Sequence, residues 1–428
     1  MRVTTRAARW LGRRLPLKAV LLLALVGFPV AAQEPILIGA VGPLSQPGAV
    51  QAGLDMRWAV ETAVADVNAA GGVLGRELRV VFYDTQNQPN VAASVAERLA
   101  FEDKVVAVVG EYHSGAALAQ IPVYTRAGIP VVFSEVWSDA ITGGDSNDPN
   151  LPPFPPTVFR ISPTSSYAGA FLSDWLLNGL KVRKVIQIYE ATDFGLSQAR
   201  ALRSQLEPAG VELVQIQVEL NQPDYSAILL RLAQQHGDAD AVVFDVTGES
   251  SYVVEQNAFE VGLVGNGTVP VVNQVAQNAE AFWRAVPDGA GSAFQFVGLA
   301  PAFYNDLTRS VAERYEAAFG GPPKVWVFEA YDSVRLVADA IERAGSTDPE
   351  AIVRALETTS FVGAQGQYSF PYGSHNPVPE GQPLWLWHQW PNPPIVILEY
   401  VRRGDGLAEA AVLWPEARQT HGVAYIQP

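Results

Sequence analysis

Residues 105–134 read VVAVVGEYHSGAALAQIPVYTRAGIPVVFS. An apolar run ends at Gly110, and a polar cluster, Glu111-Tyr112-His113-Ser114-Gly115, follows it. A small-residue stretch with helical spacing then runs to Gly128, and a second β-branched run, IPVVFS, begins. A glycine that closes a helix and a β-branched run after it mark a strand–helix–strand unit of a parallel sheet. In such sheets ligands sit beyond the carboxyl ends of the strands, where the polar cluster falls. Tyr, His and Ser side by side at that edge are either a catalytic cluster or the wall of a binding pocket.

The alternation extends in both directions. ILIGAVG (36–42), ELRVVFYD (77–84), VVAVVG (105–110) and IPVVFS (129–134) read as strands, separated by helices at 50–72, 90–103 and 114–128. The stretch 143–157, with five prolines among Gly, Asn and Asp, reads as a surface loop or a rim element over a pocket. A second set follows: strands at 158–162, 184–190, 211–218, 240–246 and 268–274, with helices at 165–179, 196–209, 225–236 and 249–263. GSAFQFVGLA (291–300) and helices at 303–319 and 325–344 are expected to return to the first set. Beyond them GQYSF (366–370), WLWHQW (385–390) and PPIVILEYV (393–401) read as short antiparallel strands, the tryptophans being core; the tail 404–428 carries no reading. The fold class is α/β, with two doubly wound parallel-sheet lobes joined by a hinge. The expected division is a signal peptide at 1–32, lobe 1 from 33–158 with 298–369, and lobe 2 from 159–297 with 370–428.

The first 32 residues hold Arg2, Arg6, Arg9, Arg13, Arg14 and Lys18, then an apolar stretch, then Val30-Ala31-Ala32. This is the pattern of a cleavable secretory signal. Arg13-Arg14 also suits a twin-arginine route, although Pro16 stands where an aromatic is usual. No cysteine occurs, which removes disulfides, thiolate metal sites and a lipidated cysteine from consideration. The expected address is the periplasm, without a lipid anchor. After the cut the chain carries 23 Lys+Arg against 44 Asp+Glu, a net −21. So acidic a surface argues against nucleic acid or an anionic membrane as partner.

The inventory for catalysis is thin. There is no G-x-S-x-G elbow, and the histidines at 113, 236, 375, 388 and 421 form no H-x-x-x-H pair. GAVGPLSQPG (39–48) contains prolines that spoil a dinucleotide loop, so no cofactor is expected. His113 and Ser114 are adjacent, and adjacent side chains seldom aim at each other. Ser114 falls near the start of a helix, where free N–H groups suit a carboxylate; it either caps that helix or binds a ligand. The next strand end repeats the theme, with Ser134-Glu135-Val136-Trp137-Ser138-Asp139.

With IGAVGPLS, AVADVNAAGGVLGRELRVVFYDTQNQP, VVGEYHSGAAL, GIPVVFSEVWSDAIT, VFRISPTSSYAGAFLSDWL, the ATDFG turn and GAQGQYSF in view, the chain resembles a known family. It is similar over 35–400 to the type I periplasmic solute-binding proteins of ABC transporters, the leucine/isoleucine/valine-binding branch. The resemblance implies a receptor and not an enzyme: a clamshell that closes on a small solute and presents it to an inner-membrane permease, as a monomer. It implies that Ser114 and Ser138, with the amides of Val136 and Trp137, hold a carboxylate, and that Phe194 supplies an aromatic from lobe 2. Thr247 stands where a tyrosine is frequent, and Gln274 where an acidic residue binds the ligand's ammonium. Thr164 or Ser165 replaces a second acid, and Asn87 and His113 occupy the places of a disulfide. Glu135, Asp193 or Glu249 could replace the lost acid. Tyr112, Trp137 and Phe194 would instead suit a carboxylate on a flat or apolar body. Ser45, Gln51, Tyr112, His113 and Glu135 complete the candidate ligand set. A sensory receptor on the same scaffold, or a hydrolase using His113-Ser114, are the alternatives.

Overall fold

The computed structural model describes Met1, residues 34–143 and residues 154–420. Most of the expected signal, most of the 143–157 loop and residues 421–428 lie outside the described residues. The described residues from Pro35 onward form one compact unit.

Two sheets organise the larger unit. The first contains β1 (Ile36–Gly42), β2 (Leu78–Asp84), β3 (Val108–Gly110), β4 (Val131–Phe133) and β5 (Val158–Arg160), in the order β2-β1-β3-β4-β5. All its pairings are parallel. Helices α1 (Val50–Ala69), α2 (Pro89–Glu97) and α3 (Ser114–Ala127) connect the strands, α2 running on into a wider π-helical turn at Arg98–Asp103. After β5 come α4 (Ser165–Asp174), β6 (Lys184–Glu190), α5 (Asp193–Leu206), β7 (Glu212–Val218), α6 (Ser226–His236), β8 (Ala241–Asp245) and α7 (Gly248–Glu260). Next are β9 (Val269–Val272), α8 (Ala279–Ala285) and β10 (Ser292–Val297). The chain then forms α9 (Asp306–Phe319), α10 (Val325–Ala344), α11 (Pro349–Glu357), the hairpin β11 (Ser360–Gly363) and β12 (Gly366–Ser369), β13 (Ile395–Tyr400) and β14 (Ala411–Trp414). The second sheet runs β14-β13-β10-β9-β8-β6-β7. Its last five strands are parallel, and β13 and β14 add antiparallel edges.

Alternation along each strand shows why helices cover both faces. Val108 and Val131 face a cluster with Leu99, Ile121 and Tyr124 of the α2–α3 side. Their neighbours Val109 and Val132 face the opposite cluster, with Val60 of α1 and Val337 and Ile341 of α10. The second sheet repeats this: Ile186 and Val242 pack with Leu229 of α6, whereas Val185 and Val243 pack with Leu172 of α4 and Leu202 of α5. Period-two alternation with two buried faces is the signature of a doubly wound sheet. Among the described residues, no helix is long and apolar enough to cross a membrane.

Three readings of the chain change here. The strand at 158–162, expected to open the second set, is the edge of the first sheet, with Val158 paired to Val131. The stretch 291–300 stays in the second sheet as β10. WLWHQW is no strand: Leu384–Leu386 form a single 3-10 turn, and only Gln389 bridges, to Arg160. Its packing reading holds for Trp387 and Trp390, which are buried, while Trp385 is half-buried. His388 is buried too, stacked on Phe159 at 4.0 Å between ring centroids, with Nε2 2.9 Å from Glu357 Oε1.

Candidate functional site

Both sheets reverse their winding at one place, between β1 and β3 in the first and between β6 and β8 in the second. A crevice opens at the carboxyl ends there. The loops that reach it are those after β3, β4, β6, β8 and β9.

The loop after β3 is bent by Gly110 at φ 104° and Glu111 at φ 69°, both left-handed. A Cβ at Gly110 would lie 2.4 Å from the Val41 carbonyl oxygen, so only glycine fits. Glu111 holds its own strained turn. Its carboxylate accepts from the Tyr112 amide at 2.9 Å, the His113 amide at 3.3 Å and Gln120 Nε2 at 2.7 Å. Burial keeps this carboxyl above its ordinary range, although those bonds oppose the rise.

Ser114 is therefore the first residue of α3, not its cap: the capping position is His113, which makes no side-chain cap. The Ser114 hydroxyl oxygen accepts from the amides of Trp137 at 3.2 Å and Ser138 at 3.1 Å. The Ser114 hydroxyl and one of the two amides expected to hold a carboxylate, that of Trp137, thus converge, and Ser138 joins them through its amide rather than its hydroxyl. The Val136 amide does not join them; it donates to Ser162 Oγ at 3.1 Å.

Arg160, which the sequence reading passed over, explains the orientation of this loop. Its side chain is fully buried and donates to the carbonyl oxygens of Ser138 and Val136, to Thr142 Oγ1 at 2.8 Å and to Gln389 Oε1. Carbonyls pinned from behind turn the intervening N–H groups toward Ser114. Burial lowers the guanidinium to about 9, so it still carries its charge at neutral pH. A charged residue inside the apolar run VFRIS was the one available signal.

On the other sheet, Glu190 ends β6 and gathers two loops. Its carboxylate accepts from Thr192 Oγ1 at 2.5 Å, and from the Thr247 amide and hydroxyl at 2.7 and 2.8 Å. His113 Nε2 lies 3.6 Å away, and neither His113 ring nitrogen has a hydrogen-bond partner. Burial disfavours protonation of His113, but the Glu190, Glu111 and Asp193 carboxylates outweigh it and raise its affinity for a proton. Phe194 stands at the start of α5, edge-on to Trp137 with ring centroids 6.2 Å apart. Gly195 lets α5 begin this close to β6, since a Cβ there would lie 2.0 Å from the Glu190 carbonyl oxygen.

Tyr112, His113, Ser114, Glu135, Trp137, Phe194, Thr247 and Gln274 line one small cavity of about 20 Å³, together with Asn273. Eight of the twelve candidates are thus brought together, and Ser138 joins them through Ser114. A larger cavity, about 640 Å³, adjoins at Tyr112, and Gln51 lies on its wall. Gln51 donates to Asp55 at 2.8 Å. Ser45 lies on neither wall; its hydroxyl donates to Asp84 at 2.5 Å and fixes the loop after β1. Thr164 caps α4, and Ser165 Oγ donates to the Trp137 carbonyl at 3.1 Å. Asn273 was missed, though as a polar residue directly after β9 it was findable by the rule that located the others. Nothing here is arranged for acyl transfer: Ser114 Oγ is engaged by amides, not by His113. Among the described residues, no cluster of three His, Asp or Glu could hold a metal ion.

Buried acids around this crevice give stability a definite pH dependence. Burial raises Asp245 and Asp332 to about 6 and Glu255 to about 8, against the hydrogen bonds each receives. A raised acid binds more protons folded than unfolded between its ordinary and raised values, so stability falls as pH climbs through that window. His113 has the same sign, its contribution being lost as pH rises through its raised value. Glu357, pulled down to about 2, has the opposite sign but acts only below its ordinary range. Calorimetry should therefore find a higher melting temperature at pH 5.5 than at pH 8, at roughly 1–2 °C per kcal/mol for a unit of this size. An equal or higher value at pH 8 would contradict this account.

Two doubly wound parallel sheets whose switch points share one polar and aromatic crevice define a solute-binding receptor of the periplasmic type. The sequence matches the family described as "Periplasmic binding protein" over residues 35–381, and the chain belongs to that family. It is a family of substrate-binding receptors, not of enzymes. An amino acid binding protein of Pseudomonas aeruginosa is 27% identical over 356 residues, covering 81% of this chain and 90% of that one. A Leu/Ile/Val-binding protein homolog of Brucella suis is 25% identical, covering 88% of this chain and 97% of that one. Among solved structures, the branched-chain amino acid transporter substrate binding protein LivJ of Streptococcus pneumoniae, in complex with isoleucine, superposes with a TM-score of 0.73. It is 23% identical, over 89% of this chain and all of that one. A solute binding protein of an ABC transporter from R. palustris, in complex with benzoate, has a TM-score of 0.71 at 19% identity, over 89% and 96% of the two chains.

Proposed function

We propose that the protein is the extracytoplasmic receptor of an ABC importer and captures a small carboxylated solute, amino acid-like or an aromatic acid, between its two sheets. The observation that carries this reading is the convergence of Ser114 Oγ with the Trp137 and Ser138 amides, braced by the charge of Arg160. Donors gathered at a helix start suit a carboxylate. Relatives named for amino acids and a structural neighbour holding benzoate support both solute types as candidates. The two lobes are residues 33–160, the first-lobe boundary being moved to take in all of β5, with 298–369, and residues 161–297 with 370–428. They close by hinge motion, and the closed form docks on an inner-membrane permease. Residues 1–32 are the export signal, and the mature receptor is a periplasmic monomer.

Native mass spectrometry of protein purified from its host, before and after gentle unfolding, tests this. Release of a small acid is expected. Failure to bind any carboxylated compound in a thermal-shift panel of amino acids and aromatic acids would refute the reading.

Trp137 supplies a check on the solute's body. Its ring faces Phe194 across the crevice, and aromatic contacts are worth about 0.5–1.5 kcal/mol beyond area burial. Trp137→Ala should therefore weaken an aromatic acid more than an aliphatic one, by up to about tenfold. Equal losses in calorimetric titrations would remove stacking from the account.

A further inference from the structure

The larger cavity carries donors that the carboxylate site at Ser114 does not use. It measures about 640 Å³ and shares Tyr112 with the small cavity. Such a volume suits a whole extended solute. Its middle is aromatic, with Tyr112, Tyr252, Tyr315, Phe319 and Trp326 on the wall. Tyr112 stands edge-on to Trp326, their ring centroids 5.7 Å apart.

Lys324 lines this cavity directly before α10, its side chain 10% exposed. Its Nζ donates to the Tyr315 hydroxyl at 3.2 Å and stands 3.7 Å from Asp55 Oδ2, outside hydrogen-bond range. Asp55 is fully buried and already served by neutral donors: Gln51 Nε2 at 2.8 Å, the Tyr315 hydroxyl at 2.6 Å and Trp326 Nε1 at 3.0 Å. An ammonium has three N–H donors, so Lys324 balances the charge of Asp55 and still has donors to spare.

Gln277 points to the same place independently. It is 1% exposed and lies on the same wall. Its Oε1 accepts from the Val325 amide at 2.7 Å, which fixes the side-chain amide and leaves Nε2 as the free end. Among the described residues that Nε2 is a buried donor without an acceptor. Both donors therefore flank the start of α10, a helix 20 residues long, where the aligned peptide dipoles place partial positive charge. The acids on this wall face solvent: Glu249 is exposed, and Glu280, 85% exposed, pairs with Arg284. Water and salt screen charges placed there.

We propose that Lys324 and Gln277 Nε2, at the start of α10, bind a second acid group, so that the solute is an extended dicarboxylate. One end lies at Ser114, the other at Lys324, and the apolar or aromatic body runs between them against Tyr112 and Trp326. The proposal rests on the carboxylate reading of Ser114 and extends it. Lys324 offers no acceptor and the Gln277 oxygen is engaged, so an end group that only donates gains nothing from them. A carboxylate has an oxygen for each donor.

Isothermal titration of the wild-type protein with succinate, adipate, suberate, sebacate and terephthalate, each paired with the monoacid of the same carbon skeleton, tests this. At least one diacid should bind about tenfold or more tighter than its monoacid. Lys324→Met, its fold checked by its melting curve, should shrink that gap to under about threefold. Gln277→Glu keeps an acceptor for the Val325 amide and sets a like charge against the acid, and it should shrink the gap too. This second variant carries the test if Lys324→Met, with Asp55 left unbalanced, does not fold. Binding of monoacids or amino acids with no diacid preferred would overturn the second site and leave the Ser114 reading standing. A diacid preference that survives in either folded variant would also overturn it. If no carboxylated compound, amino acids included, binds the wild type, both readings fall together.

Discussion

Arg160→Met should destabilise the protein by about 3–5 kcal/mol and weaken solute binding at least tenfold. Methionine matches the stem in volume but supplies no donors. Four acceptors then lose a donor: the carbonyls of Val136 and Ser138 keep Ser162 Oγ and the Ile141 amide, whereas Thr142 Oγ1 and Gln389 Oε1 lose the guanidinium that served them. An unsatisfied buried acceptor costs about 1–3 kcal/mol, and relaxation of the loop recovers part of the total. That relaxation is what harms binding, because the Trp137 and Ser138 amides point at Ser114 only while their flanking carbonyls are held. Removal of the charge also strips the nest of a fixed cation. Urea denaturation measures the first effect and calorimetric titration the second. Arg160→Lys should fall between, since an ammonium keeps the charge but cannot span acceptors spread over both Gln389 and the loop. A loss under about 1 kcal/mol with unchanged affinity would show that the loop after β4 holds its shape alone.

Ser114→Ala should weaken binding of the carboxylated solute by about 1–3 kcal/mol, roughly 5–150-fold. The hydroxyl oxygen already accepts from two amides, so its own proton is the donor left for a carboxylate. Alanine removes that donor. The helix itself should survive, because Ser114 lies inside α3 and its side chain caps nothing. The melting temperature should fall as well, because the buried Trp137 and Ser138 amides lose their acceptor, so the discriminating result is the weaker Kd. A lower melting temperature with the same Kd would return Ser114 to a structural role.

The alternation of β-branched and helical runs was enough to establish two βα sets and the strands β1, β2, β6 and β7 nearly to the residue. Such strands are local: their pattern is a property of consecutive side chains. Strand membership is not local, and there the reading slipped. VFRIS has the same pattern whichever sheet it joins, and only the pairing of Val158 with Val131 assigns it to the first. WLWHQW alternates like a strand, but His388, at φ 47°, is turned into a stack on Phe159, and its Nδ1 approaches the Val158 carbonyl oxygen at 3.0 Å.

The site divides in the same way. That Tyr112, His113, Ser114, Glu135, Trp137, Phe194, Thr247 and Gln274 lie at strand ends is legible locally, because strand ends can be counted along the chain. Tertiary structure alone decided what each faces. The arginine at 160 sits 22 residues from Ser138 and 229 from Gln389, with nothing in the local pattern to announce either partner. Ser45 and Val136 pass every local test, yet Asp84 and Ser162 take them. A hydrogen bond is chosen by distance in space, and for residues on different elements that distance is set only once the sheets have packed.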